Sequence, residues 1–113
     1  MSGAKPLSSR SPANASRWED LIFQTLGNPK RCRLLYALAR NASQSASKLR
    51  VGVGLSLDAT LKHLVAMRSA GLLIVKQDPT DARRRFYSLV PAIQPVTTAT
   101  GHMIDFGFLV VRF

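Results

Sequence analysis

The sequence predicts a mostly helical α+β fold, and three features predict it. Four stretches with apolar residues at helical spacing run between residues 16 and 70. Two β-rich runs, 72–76 and 86–90, then flank Asp78-Pro79-Thr80-Asp81, a segment of turn chemistry with proline at the second position. A last apolar stretch, 102–113, alternates Ile104, Phe106, Phe108 and Val110 with Asp105, Gly107, Leu109 and Val111, and reads as one extra C-terminal strand.

Each helix carries its own boundary signals. The first, 16–26, has Ser16 as cap and Glu19 three residues on, the capping-box spacing, with Trp18, Leu21 and Ile22 sharing a face. Gly27 ends it. Asn28 caps the second helix, 30–40, and Pro29 stands at its first position, where a missing N–H costs nothing. That helix buries Leu34, Leu35 and Leu38 and exposes Lys30, Arg33 and Arg40, while Cys32 and Tyr36 pack at its edges. Ser45 opens a short third helix, 46–53, anchored by Leu49 and Val53. Gly54 allows the sharp turn to Ser56, whose hydroxyl caps the fourth helix. Asp58 places negative charge in its first turn, where the helix dipole favours it, and Gly71 supplies the left-handed stop. Leu57, Leu61, Leu64 and Met67 recur along it at helical spacing, opposite Asp58, Lys62 and Ser69.

Residues 1–15 are rich in Ser, Ala and Pro and read as a disordered basic tail. Residues 16–91 form the expected folded unit, and 92–113 a linker and strand. Sixteen Lys and Arg stand against six Asp and Glu, a formal net charge of +10, which in 113 residues points to a polyanionic partner. A single cysteine rules out an internal disulfide and suits a reducing, cytoplasmic setting. No stretch approaches the roughly 18 apolar residues of a membrane helix, and no secretory h-region is visible at the N-terminus.

Three helices and a capped fourth that follows a glycine turn, then a hairpin tipped by Arg83, Arg84 and Arg85, spell a winged helix-turn-helix. The helix from 56 to 70 is the one to enter a DNA major groove, with the hairpin of 76–86 as wing. Its basic set is Lys48 and Arg50 on the preceding helix, Lys62 and Arg68 on the recognition helix, and the three wing arginines. Such a surface takes most of its affinity from phosphate neutralisation, and base readout falls to the first half of the helix, with Lys62 the candidate for guanine acceptors. Strand alternation puts Arg83 and Arg85 on one face and Arg84 on the other.

Residues 26–35, Leu-Gly-Asn-Pro-Lys-Arg-Cys-Arg-Leu-Leu, resemble the opening of bacterial arsenical-resistance-repressor (ArsR) regulators. The likeness continues through Ser45 to Ser56, Lys62-His63-Leu64 and Ser69-Ala70-Gly71-Leu72, spanning about 18–91. The segment 78–87, DPTDARRRFY, is similar to the wing of multiple-antibiotic-resistance (MarR) regulators. The resemblance implies a homodimeric, winged-helix transcription regulator on a pseudo-palindromic operator. It places Ser56, Leu57, Asp58, Leu61 and Lys62 at the DNA. Leu57 and Leu61 replace polar residues usual in the family, so they either meet thymine methyls or rotate into the core. Thr60 stands where the family has a core aliphatic. The cysteine pair of metal-sensing members is missing from the third helix, here Ser45-Ala46-Ser47-Lys48-Leu49.

The sequence shows no metal-ligand spacing, nucleophile–base pair or phosphate-cradling loop, so neither an enzyme, a metal nor a cofactor is expected. His63 reads as a packed helix histidine bonded to a backbone carbonyl. The terminal strand becomes apolar on both faces, so it either completes its own core or pairs with a second copy. Dimerisation is expected through Trp18, Leu21, Ile22, Ile104, Phe106, Phe108 and Val110. The competing readings are a winged helix that binds a protein through Leu57 and Leu61, and a nucleic-acid binder without sequence preference.

Overall fold

A computed structural model describes residues 12–113, with side chains described from Arg17 onward; residues 1–11 of the expected 1–15 tail, with Lys5 and Arg10, lie outside the described residues, and 12–15 are helical instead. The elements run α1 Pro12–Leu26, α2 Pro29–Arg40, α3 Ala46–Val53, α4 Leu57–Ser69, β1 Leu73–Asp78, β2 Asp81–Leu89, β3 Val96–Thr98, β4 Gly101–Asp105 and β5 Val110–Arg112, with a 3₁₀ turn at Pro91–Ile93. The architecture is the α+β winged helix-turn-helix that the pattern predicts.

Helix α1 differs from expectation at its start. It begins at Pro12, so Ser16 lies inside it and is not its cap. Proline at the first helical position is the signal that the Ser/Ala/Pro composition obscured. The other caps form as the sequence requires. Asn28 Oδ1 accepts from the Lys30 amide at 2.9 Å, Ser45 Oγ from Lys48 at 3.2 Å and Ser56 Oγ from Ala59 at 3.1 Å. At the end of α4, Gly71 has φ +82°, and the Gly71 and Leu72 amides return to the Arg68 and Met67 carbonyls at 3.0 Å each. This is the Schellman arrangement, and it turns the chain sharply from helix into strand.

The wing is an antiparallel pair in which Leu73 faces Leu89 and Gln77 faces Arg85. A one-residue bridge extends it: Gln44 and Tyr87 exchange both backbone bonds, at 3.0 and 2.8 Å. The Gln44 side chain donates to the Ala37 and Asn41 carbonyls at 2.9 and 2.7 Å. One buried residue therefore ties the end of α2 and the entry to α3 to the base of the wing.

The core joins Trp18 and Ile22 of α1, Leu34, Leu35 and Leu38 of α2, Leu49 of α3 and Leu64 and Met67 of α4 to Leu72, Leu89, Ile104 and Phe106. Within α4 the buried face is Thr60, Leu64 and Met67, not the expected line through Leu57 and Leu61. Thr60 is fully buried and its hydroxyl donates to the Ser56 carbonyl at 2.8 Å, which removes the cost of burying it.

The C-terminal segment also departs from a single strand. It folds into a three-stranded antiparallel sheet, β3-β4-β5, within its own chain. Asp105 Oδ1 accepts the Gly107 amide at 2.7 Å and Gly107 adopts φ +93°, so the chain reverses between 105 and 110. Gly101 faces the Phe113 carbonyl so closely that a Cβ would clash with it. Trp18, Ile22, Ile104 and Phe106, expected at a dimer interface, are core residues of the single chain, because the returning chain buries Ile104 in the core and sets Phe106 against Trp18.

Candidate nucleic-acid interface

Helix α4 is held at its C-terminus and at its middle. Trp18 Nε1 donates to the Ala70 carbonyl at 3.2 Å, fixing its C-terminus to α1. Arg31 Nε donates to His63 Nδ1 at 3.2 Å, fixing its middle to α2. His63 is thus an acceptor for an arginine and not a donor to a backbone carbonyl. Burial first, then the nearby Arg31 and Lys30 charges, hold its pKa below the usual imidazole range.

What α4 presents outward is unusual in composition. Leu57 and Leu61 are 41% and 36% exposed and Val65 is 63% exposed. They stand four residues apart, so they form one aliphatic stripe. Beside them Asp58 and Lys62 form an i,i+4 ion pair at 3.3 Å in which both side chains are exposed.

Leu57 and Leu61 share a cleft with Ser45, Ala46 and Ser47 at the start of α3 and with Arg83, Arg84, Arg85 and Tyr87 of β2. The first half of α4 and the three arginines of β2 therefore line one space, including Arg84, which strand alternation places on the other face. The arginines are not equivalent. Arg83 lies 3.3 Å from Asp81, and Arg84 lies 3.8 Å from Asp78 and stacks over Phe86 at 5.4 Å. Arg85 makes no ion pair among the described residues. The Thr80 amide and hydroxyl, with help from Arg84, hold the Asp78 carboxyl below the usual carboxylate range and keep the wing tip folded.

Two predicted residues fall elsewhere. Arg68 is in the last turn of α4, about 16 Å along the axis from Leu57 at 1.5 Å per residue. Lys48 lines a separate hollow with Arg33, Tyr36 and Arg40 on the α2–α3 side. Sequence reasoning missed Val65, although its spacing from Leu61 signals it, and missed Phe23, which stays 53% exposed on α1. Cys32 Sγ donates to the Leu26 carbonyl at 3.0 Å and burial pushes its thiol pKa up, so it is a packing residue. Among the described residues no three His, Cys, Asp or Glu side chains group as metal ligands, and no helix is long and apolar enough to cross a membrane.

The same fold recurs in known structures. The homodimeric winged helix-turn-helix DNA-binding domain Mb0332 of Mycobacterium bovis, a possible ArsR-family regulator, superposes with a TM-score of 0.60 at 21% identity, over 73% of this chain and 74% of that one. This chain has the winged helix-turn-helix fold. Reduced HlyU of Vibrio cholerae matches this chain with a TM-score of 0.58 at 26% identity, over 68% of this chain and 77% of that one. The HTH-type transcriptional regulator YgaV of Escherichia coli K12 is 35% identical over 68 residues, which are 60% of this chain and 66% of YgaV. The match thus spans just under two thirds of that curated relative. No protein-family model matches the chain.

Proposed function

We propose that this ArsR-like protein is a sequence-specific DNA-binding transcriptional regulator that acts as a homodimer, with α4 in the major groove and the β1–β2 wing on the backbone or minor groove. The observation that carries this reading is the shared cleft of Leu57 and Leu61 with Arg83, Arg84 and Arg85, on a chain of net charge +10. Ser56, Leu57, Asp58, Leu61 and Lys62 are the residues at the base edges, and the wing arginines neutralise phosphates. Lys48 and Arg68 act at the margins of the contact, on flanking phosphates.

The dimer reading rests on α1. Leu21 and Phe23 stay exposed there, and Phe23 packs edge-on against the half-buried Phe108 at 5.4 Å. An apolar patch of this kind suits a two-fold contact with a second copy. Val110, 44% exposed on β5, borders the same terminal sheet.

Selection of bound sequences from random duplex DNA at about 150 mM salt tests the reading. It predicts an inverted repeat with half-sites about one helical turn apart. Binding that survives only at low salt without enrichment identifies a nonspecific binder instead. The exposure of Leu57 and Leu61 also favours a second reading, a winged helix that docks a protein; that contact would not weaken steeply with salt, whereas DNA binding must.

A further inference from the structure

We infer that the outward face of α4 reads thymine methyl groups. The inference rests on the DNA-binding reading above and names what that surface recognises. Five side chains project from the first two and a half turns away from the core: Leu57, Asp58, Leu61, Lys62 and Val65. Three are aliphatic, and the other two are occupied with each other at 3.3 Å. The hydroxyls of the first turn are engaged as well. Ser56 Oγ takes the Ala59 amide, and the Thr60 hydroxyl turns inward to the Ser56 carbonyl.

Beyond the exposed Asp58–Lys62 pair, a helix with this face has little to offer the amide, amine and carbonyl groups of base edges. What it offers is a row of methyl groups four residues apart. In the major groove of unmodified DNA the apolar base-edge group is the C5 methyl of thymine. Leu61 and Leu57 lie beside the wing arginines, so phosphates held by Arg83, Arg84 and Arg85 bring a duplex against them. The same cations argue for DNA over an apolar protein ligand, since three arginines at the rim of a small patch match a polyanion. The stripe thus sets specificity, and the arginines set affinity.

The test uses the full chain and the operator that the selection returns. Thymines in each half-site are replaced one at a time by deoxyuridine, which removes the methyl and keeps every hydrogen-bonding group. Binding is followed by fluorescence anisotropy. Each contacted methyl should be worth about fourfold in Kd, the equivalent of burying one carbon. Leu57→Ala, Leu61→Ala and Val65→Ala change exposed side chains, and thermal melting checks that each remains folded. At least one variant should lose the distinction between thymine and deoxyuridine at one position while the salt dependence of binding stays that of the parent. Full affinity for every deoxyuridine operator would overturn the inference and leave the regulator reading standing. So would a deoxyuridine penalty that persists unchanged in all three variants. Variants with unaltered DNA affinity would overturn it too and leave the stripe to a protein partner. A selection with no enriched sequence would overturn the regulator reading and this inference together.

Discussion

Arg31 donates its Nε–H to His63 Nδ1 at 3.2 Å, joining the second helix to the recognition helix through a histidine that must be neutral there. The accepting Nδ1 places the imidazole proton on Nε2. Protonation would put a donor against a donor and a cation against Arg31. The direction of the His63 shift agrees, with burial as its largest cause.

A stability prediction follows by linkage. The folded pKa of His63 lies below the unfolded value of about 6.5, so the unfolded chain takes up the proton first. The His63 contribution is therefore fully present above that value and declines as pH falls through it toward the lower folded pKa. Urea unfolding at a series of pH values from 8 to 5 should show this loss, and His63→Gln should flatten it. An unaltered slope in His63→Gln would remove His63 as the titrating group.

Gly71 sets the exit from α4. Its φ of +82° is accessible to other L-residues only with strain, and nothing nearer than Trp18 Nε1 at 3.7 Å would touch an added Cβ. Gly71→Ala should therefore cost about 1–2 kcal/mol through backbone strain and not through a clash. Equilibrium denaturation measures it. Because an added Cβ meets no clash, the angle between α4 and the wing is kept once the chain folds, and DNA affinity should fall less than stability. A neutral Gly71→Ala would mean that the helix end relaxes freely.

The caps at Asn28, Ser45 and Ser56 and the stop at Gly71 were legible in the sequence because each is local chemistry, settled within four residues. The wing arginines were legible only as a group: strand alternation sets Arg84 on the opposite face, yet it lines the same cleft as Arg83 and Arg85. Thr60 was legible from the family resemblance, which has a core aliphatic there, but not from helical spacing. Its burial depends on how α4 rolls against α2, and helical spacing alone suits a face through Leu57 and Leu61 equally well. That roll is what exposes the aliphatic stripe. The terminal segment failed for a related reason: residues 102–113 alternate well enough for one strand, and only the Asp105–Gly107 turn reverses them. The aromatic set expected between two chains then meets Trp18 of its own chain.

Phe106 and Val110 separate these two accounts of the terminus. Phe106 is 2% exposed beside Trp18, at 6.2 Å between ring centroids, whereas Val110 is 44% exposed on β5. Phe106→Ala should cost about 3–5 kcal/mol at any protein concentration. Val110→Ala should cost under about 1 kcal/mol. Sedimentation of Leu21→Asp and Phe23→Asp variants, whose side chains are exposed, should show a dimer weakened without loss of the folded monomer. If Phe106→Ala instead lowered stability only at low protein concentration, the terminal sheet would be held by a partner.

Among the wing cations, Arg85 should matter most for phosphate binding. Arg83 and Arg84 already face Asp81 and Asp78, so part of their charge is spent within the wing, whereas Arg85 lies opposite Gln77. Releasing one fewer counterion reduces the steepness of the log Kd against log salt plot by about 0.9 for duplex DNA. Arg85→Ala should show that full reduction and weaken specific and random duplexes alike. Arg83→Ala and Arg84→Ala should show less, and Arg84→Ala should also loosen the tip, because Phe86 and Asp78 both lose a neighbour. Titrations at four salt concentrations on two duplexes measure all of this. An Arg85→Ala variant that kept the parental slope but lost only the preferred sequence would make Arg85 a base reader and move the wing from the backbone into a groove.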